Sequence, residues 1–221
     1  RAYRITYIGV PLIVAGLVVQ ERDRGFRHLR NDYVPSFRFR YDDYLQYAPA
    51  ALMLGLKIGG VRGRSSWGRM LVSDAFSVAL MAGAVNSLKY TCRMPRPDGS
   101  NNKSFPSGHT ATAFMAATML HKEYGGRSPW YSIAGYSMAT VTGVSRMLNN
   151  KHWFSDVLVG AGIGILSVEL GYLFADLIFK ERGLTEFEQD FAFDRYCRPS
   201  FLGMEVSTDV VIGRYRPVAG V

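Results

Sequence analysis

Three short blocks of the sequence hold side chains whose types and spacing are typical of phosphate chemistry. Residues 89–97 carry a lysine and two arginines, and residues 106–109 read Pro-Ser-Gly-His. Residues 145–156 contain an arginine, a histidine and, four positions after that histidine, an aspartate. Together the blocks supply what phosphoryl transfer needs, namely charge stabilisation, a nucleophile and a proton carrier.

One set of these residues would bind the phosphate itself. Ser107 is placed to cap a helix, and Gly108 would let an oxyanion approach the free backbone N–H groups of the first turn. Lys89, Arg96 and Arg146 would add fixed cations, and the two guanidinium forks match phosphate oxygens in pairs. We therefore expect a phosphate site made of these five residues.

A second set would carry out the transfer. His152 and Asp156 are four positions apart, so the carboxylate would lie on the same helix face, hold one ring nitrogen and leave the other free to attack phosphorus. His109 would protonate the leaving oxygen and then activate the hydrolytic water. These three residues also fit a His/Asp metal site. Three neighbouring cations would repel a divalent ion, however, so we expect no metal and no cofactor.

Taken one at a time, all these residues have ordinary explanations. A Lys or Arg at a helix end is usually a solvated charge, and Ser-Gly before an apolar run is usually only a helix cap. A His with an Asp four positions later is usually a surface pair. It is the joint order and spacing that favours the catalytic interpretation.

Six apolar stretches alternate with polar or Gly/Pro-containing breaks, and each is long enough for a helix. They cover residues 5–19, 44–61, 70–88, 108–120, 130–144 and 157–179. Ser128-Pro129 and Ser107-Gly108 are typical helix starts. The predicted fold class is all-α, a six-helix bundle. In such a bundle the end of the third helix, the start of the fourth and the connector from the fifth to the sixth share one end, where the three blocks would form an active site.

The sequence contains features for and against a bundle that spans a membrane. A spanning helix needs about 20 apolar residues, and no stretch is both that long and free of charge; the interrupting residues are Lys57, Asp74, Glu169 and Asp176. The mean hydropathy of +0.01 is low for six spans. The Gly- and Ala-rich run at 160–164 suits close helix packing in lipid, and Tyr and Trp recur near the segment ends. We predict a transmembrane bundle, with a soluble helical bundle as the alternative.

Charge and cysteine content narrow the remaining classes. The net charge of +8 suits anionic lipids and phosphorylated substrates, but the arginines lie in separate connectors, so nucleic-acid binding is not expected. Residues 62–69 contain three arginines and no acid, which predicts a cytoplasmic connector and places the three blocks outside. Cys92 and Cys197 are too few for a four-cysteine zinc site. We expect a catalytic domain over 1–180 and a tail of unknown role over 181–221.

The three blocks resemble the signature blocks of the type 2 phosphatidic acid phosphatase and vanadium haloperoxidase superfamily. Every signature residue type is present at the expected internal spacing, and His152-Trp153 followed by Ser155-Asp156 is also typical. The similarity covers residues 70–175. It implies an all-α core, a phosphohistidine intermediate on His152, acid–base catalysis by His109 and support from Asp156.

The resemblance also implies phosphate contacts, which fall on Lys89, Arg96, Ser107, Gly108 and Arg146. The eight residues between Pro97 and Pro106 are a short spacer compared with many members and leave little room for a lid. Members with six hydrophobic helices act on lipid phosphates or diphosphates outside the inner membrane. The resemblance therefore implies a metal-independent lipid phosphatase, integral to a bacterial inner membrane, with its active site facing the periplasm.

The substrate and two other functions stay open at this point. Candidate substrates are phosphatidate, phosphatidylglycerol phosphate, undecaprenyl diphosphate and the phosphates of lipid A. A soluble periplasmic acid phosphatase and a vanadate-dependent haloperoxidase are the alternative enzymes, because vanadate imitates the transition state of phosphoryl transfer. An inert lipid-phosphate binding or transport protein is less favoured, since both histidines are present. The sequence does not predict an oligomeric state.

Overall fold

The computed structural model describes residues 7–180 and 182–184. Within these residues the regular secondary structure is helical, apart from one isolated bridge between Ser65 and Leu184. The first elements are α1 (Gly9–Val19), a 3₁₀ turn (Gln20–Arg22), α2 (Asp23–Tyr33), α3 (Asp42–Leu45) and α4 (Ala48–Ile58). The longer helices follow as α5 (Trp67–Cys92), α6 (Gly108–Tyr124), α7 (Pro129–Leu148) and α8 (Phe154–Phe179). The all-α prediction is confirmed.

Each of the six predicted stretches corresponds to one helix, namely α1 and α4 to α8 in order. The helix starts are also as predicted, because Ser107 and Ser128 each accept a hydrogen bond from a backbone N–H of the first turn of α6 and α7. The sequence did not predict α2 and α3, which lie in the polar connector after α1. Residues 185–221 of the predicted tail lie outside the described residues.

Helix α8 packs against α1, α5 and α6, and glycines make this close approach possible. A Cβ atom built on Gly160 would lie 2.6 Å from the Ser107 carbonyl oxygen, and one on Gly162 would lie 2.6 Å from the Gly9 carbonyl oxygen. Any larger side chain would force the backbones apart. The predicted packing role of this run is confirmed, and it brings the start of α6 directly against α8.

Two of the described helices, α5 and α8, are long and apolar enough to cross a bilayer by length and composition. Helix α5 leaves large apolar side chains exposed, among them Leu71 and Val78, so it presents an apolar face outward. The charged residues inside the helices have partners within the bundle. Asp74 accepts a hydrogen bond from the Tyr172 hydroxyl at 3.1 Å, and Glu169 pairs with Lys122 at 2.7 Å.

Candidate active site

The three blocks meet at one end of the bundle, where α5 and α7 end and α6 and α8 begin. In the last turn of α5, Lys89 Nζ donates to the carbonyl oxygens of Pro106 at 2.7 Å and Lys103 at 3.1 Å. The backbone N–H of Ser107 donates to the Asp156 carbonyl oxygen at 3.0 Å. These contacts join the first block to the second and the second to the third, so the predicted convergence is present.

His152 is buried in the turn between α7 and α8, and its ring is oriented by a backbone group. The Nδ1 atom lies 2.9 Å from the carbonyl oxygen of Ser104. Because a carbonyl oxygen only accepts hydrogen bonds, Nδ1 carries the proton in this contact and Nε2 keeps its lone pair. The imidazole is therefore held in the tautomer that a nucleophile needs.

Asp156 is fully buried in the first turn of α8, and its carboxylate lies beside His152. Its Oδ2 atom is 3.5 Å from His152 Nδ1, farther than the Ser104 carbonyl oxygen, so the expected direct hydrogen bond is replaced by an electrostatic contact. The same oxygen accepts hydrogen bonds from the Ser104 hydroxyl and, at 2.9 Å, from the Trp153 backbone N–H. Sequence reasoning missed Ser104, which lies in the spacer between the first two blocks.

Arg146 and His109 are both held by carboxylates that sequence reasoning also missed. Arg146 Nη1 donates to Asp42 at 2.8 Å and to Asp43 at 3.4 Å, and both Arg146 and Asp42 are buried. His109 Nε2 lies 3.0 Å from Asp43 Oδ1. The Asp43 carboxylate in α3 thus contacts both His109, the predicted general acid, and Arg146, a predicted phosphate ligand.

The cations of the site are close together and incompletely neutralised. Burial, followed by the positive charge of Arg146, lowers the pKa of Arg96. In the described part of the chain, the Nε atoms of Arg96 and Arg146 are both buried without a hydrogen-bond acceptor. Buried donors of this kind are costly unless something accepts from them. A phosphate group has the charge and the oxygen atoms to do so.

Both histidines also lie within electrostatic range of the same guanidinium. The charge of Arg146 acts on His109 and on His152, and the charge of Lys89 acts on His152 as well. Two histidines and the cations of Lys89, Arg96 and Arg146 therefore lie close together at this end of the bundle. This arrangement suits an in-line attack on a phosphate ester.

The family model for the PAP2 superfamily matches residues 70–179, the part of the chain that contains all three blocks. The chain belongs to the PAP2 superfamily. Among curated PAP2 relatives, it is 52% identical over 173 residues to the lipid A 1-phosphatase of Porphyromonas gingivalis. The match covers 78% of this chain but 39% of that relative, so the chain spans about two fifths of the relative's length.

Two solved structures are similar to this chain. The structure of Aquifex aeolicus LpxE superposes with a TM-score of 0.50 at 24% identity, covering 65% of this chain and 92% of that one. A transmembrane PAP2-type phosphatidylglycerolphosphate phosphatase from Bacillus subtilis gives a TM-score of 0.48 at 20% identity, covering 80% and 100% of the two chains. The first of these likenesses supports the fold.

The two missed carboxylates lie outside the PAP2 match. Asp42 and Asp43 precede residue 70 by almost thirty positions, in the polar connector that follows α1. The available signal was two adjacent acids in an otherwise Arg-rich stretch. Their partners lie more than 60 positions away in sequence, so the pairing follows from the folding of α3 against α6 and α7.

Replacing Asp43 with Asn should slow phosphate release from a lipid alcohol phosphate about tenfold, but from p-nitrophenyl phosphate less than about twofold. The Asp43 carboxylate stabilises the protonated His109 ring, which a poor leaving group needs and p-nitrophenolate does not. Steady-state assays on the two substrates measure the difference, with the exposed Asp32→Asn on α2 as control. Equal losses on both substrates would argue against a positioning role.

Acid should destabilise this PAP2 protein through His152. Burial lowers the pKa of His152 to about 4 from an ordinary value of 6.5, against the opposing effect of Asp156. At pH values between these two pKa values, His152 binds more protons in the unfolded state than in the folded state. The free energy of unfolding therefore falls as the pH falls through this range. From pH 7 to pH 5, the thermal midpoint of the wild-type protein in detergent should drop further than that of His152→Gln. Identical drops would show that His152 is not the buried neutral group described.

Proposed function

We propose that this protein is a phosphatase that removes a phosphate group from a membrane lipid through a phosphohistidine on His152. The orientation of His152 is the observation that carries the proposal. Its Nδ1 proton is held by the Ser104 carbonyl oxygen at 2.9 Å, which leaves Nε2 free beside Lys89 and Arg146. An unprotonated imidazole next to fixed cations suits nucleophilic attack on an anionic phosphorus centre.

The proposed reaction has two steps. In the first, His152 Nε2 attacks phosphorus, the bond to the lipid oxygen breaks, and His109 gives that oxygen its proton. In the second, His109 takes a proton from water, the water oxygen attacks phosphorus, and inorganic phosphate leaves the histidine. Backbone donors at the start of α6, capped by Ser107 and opened by Gly108, would stabilise the equatorial oxygens together with the cations of Lys89, Arg96 and Arg146. The proposed chemistry uses no metal.

A lipid phosphate is the substrate class that the helices favour. The outward apolar face of α5, together with the length of α8, supports an integral membrane protein, in which the acyl chains of a substrate would stay in the bilayer. The relative that is 52% identical is a lipid A 1-phosphatase, so a phosphate of lipid A is the first candidate. A periplasmic active site is part of this proposal, because members of the resembled superfamily with six hydrophobic helices act outside the inner membrane.

Phosphate release across a substrate panel tests the proposed function. The panel contains lipid A, phosphatidate, phosphatidylglycerol phosphate, undecaprenyl diphosphate and p-nitrophenyl phosphate, assayed with the detergent-solubilised protein and with chelator present. We expect release from at least one lipid, with lipid A as the best substrate, and little from the soluble ester. Recovery of active protein without detergent, with the soluble ester preferred, would support a soluble acid phosphatase instead. Peroxide- and vanadate-dependent halide oxidation without phosphate release would contradict the proposal.

A further inference from the structure

A polar cavity opens beside the candidate active site, between the segment that follows α2 and the turn that follows α7. Its volume is about 480 Å³, and Arg146 and Asp43 line it. These two residues also contact each other at 3.4 Å, and Asp43 contacts His109. We call this space the connector cavity. It shares Arg146 with the proposed phosphate site and, through Asp43, contacts His109.

The connector cavity has more cations than its carboxylates neutralise. Its cations are Arg30, Arg38, Arg40, Arg146 and Lys151, and its carboxylates are Asp42, Asp43 and Asp98. Asp42 and Asp43 pair with Arg146, and Asp98 pairs with Lys151 at 2.7 Å. Within the described ranges, no carboxylate lies within ion-pair distance of the other three arginines.

Arg30 is fixed in the wall without losing its charge. Its Nε donates to the Leu148 carbonyl oxygen at 2.8 Å, and its Nη2 donates to the Phe37 carbonyl oxygen at 3.2 Å. Its Nη1 donates to the Asn31 side-chain oxygen at 3.0 Å. All three acceptors are neutral, so the guanidinium keeps its positive charge and two of its five N–H groups. The exposed Arg38 and Arg40 follow Phe37 in the same wall.

We propose that the connector cavity is a second anion subsite, which binds a second phosphate on the headgroup of the lipid substrate. This inference rests on the proposed function. With the reacting phosphate at His152, the headgroup would pass Arg146 and place its second phosphate on Arg38 and Arg40, whose forks match phosphate oxygens in pairs. Phe37 and Phe39, with ring centroids 5.0 Å apart, offer an apolar wall to the carbon skeleton between the two phosphates. The preferred substrate is therefore a lipid whose headgroup carries a second, separate phosphate.

A pair of glycolipids tests the second subsite. One carries two phosphates, and the other has the same acyl chains and only the phosphate that is hydrolysed. In the R38Q/R40Q double variant, kcat/KM for the bisphosphate should fall about 10- to 100-fold, mainly through KM, while kcat/KM for the monophosphate changes less than about twofold. Arg24→Gln, which removes an exposed charge from α2 outside the cavity, should change neither value.

The outcomes separate this inference from the proposed function. If the wild-type protein releases phosphate from neither glycolipid nor any lipid of the panel, the proposed function fails. If it hydrolyses both glycolipids with equal kcat/KM, or if the double variant lowers both equally, the second subsite is wrong while the phosphatase stands. Adding inorganic phosphate to the monophosphate assay tests whether the subsite binds a free anion instead. If inorganic phosphate changes the turnover of the monophosphate in the wild-type protein but not in the R38Q/R40Q variant, the headgroup assignment is wrong.

Discussion

The His152→Ala variant should fold normally but release phosphate from its lipid substrate about 10⁴-fold more slowly than the wild-type protein, or slower still. The substitution removes the Nε2 lone pair that the Ser104 hydrogen bond leaves free, and it leaves the cations of the pocket in place. Substrate should therefore still bind while the covalent step is lost. The measurement is kcat for inorganic phosphate release in detergent micelles, with folding checked by the thermal unfolding midpoint.

A covalent intermediate gives this prediction a second readout. His109→Ala should form the phosphoenzyme from radiolabelled p-nitrophenyl phosphate and hydrolyse it slowly, because the leaving group needs no proton but the attacking water needs a base. The trapped label should be stable to alkali and labile to acid, and it should be missing when His152 is also replaced. His28→Ala, at an exposed position of α2, is the control and should keep full activity. Substantial turnover by His152→Ala would remove the proposed nucleophile.

Replacing Arg146 with Ala should weaken both the fold and the catalysis. Arg146 and Asp42 are buried and 2.8 Å apart, and removing one partner of a buried ion pair costs about 3–5 kcal/mol because the other charge stays unpaired. Loss of a donor that stabilises developing charge typically costs about 10²- to 10³-fold in kcat. We therefore expect a lower thermal midpoint together with a loss of that size in phosphate release.

A double variant separates the two effects. In Arg146→Ala/Asp42→Asn the buried carboxylate is gone, and the amide oxygen still accepts from Asn149, which contacts Asp42 at 3.3 Å in the wild-type protein. Most of the lost thermal stability should return, while kcat stays about as low as in the single variant. Recovery of kcat along with stability would show that Arg146 has a structural role only. Arg146→Lys should be intermediate, since an ammonium group keeps the charge but lacks the planar fork.

Six of the helices, α1 and α4 to α8, were predictable because each depends on local sequence. Apolar runs of helical length, Ser caps and a following Pro or Gly determine α6 and α7 from residues that are neighbours in the chain. Helix α5 extends from Trp67 to Cys92. The predicted stretch of 70–88 is shorter because the charged Arg69 and Lys89 interrupt the apolar run at its two ends. The short α3, with only four residues, has no pattern that distinguishes it from a turn.

The sequence by itself identified the side chains of the candidate site, because the lysine, the arginines, the histidines and the helix start occur in three recognisable blocks. Only the tertiary structure decided what holds those groups. The acceptor for His152 is a backbone carbonyl 48 positions away, and side-chain motifs carry no information about backbone acceptors. The carboxylate that pairs with Arg146 lies 104 positions away, in a connector with no motif of its own. Contacts at that separation in sequence depend on how the helices pack. Arg146 and Asp42 become a buried ion pair only when this packing brings them together and removes both charges from water.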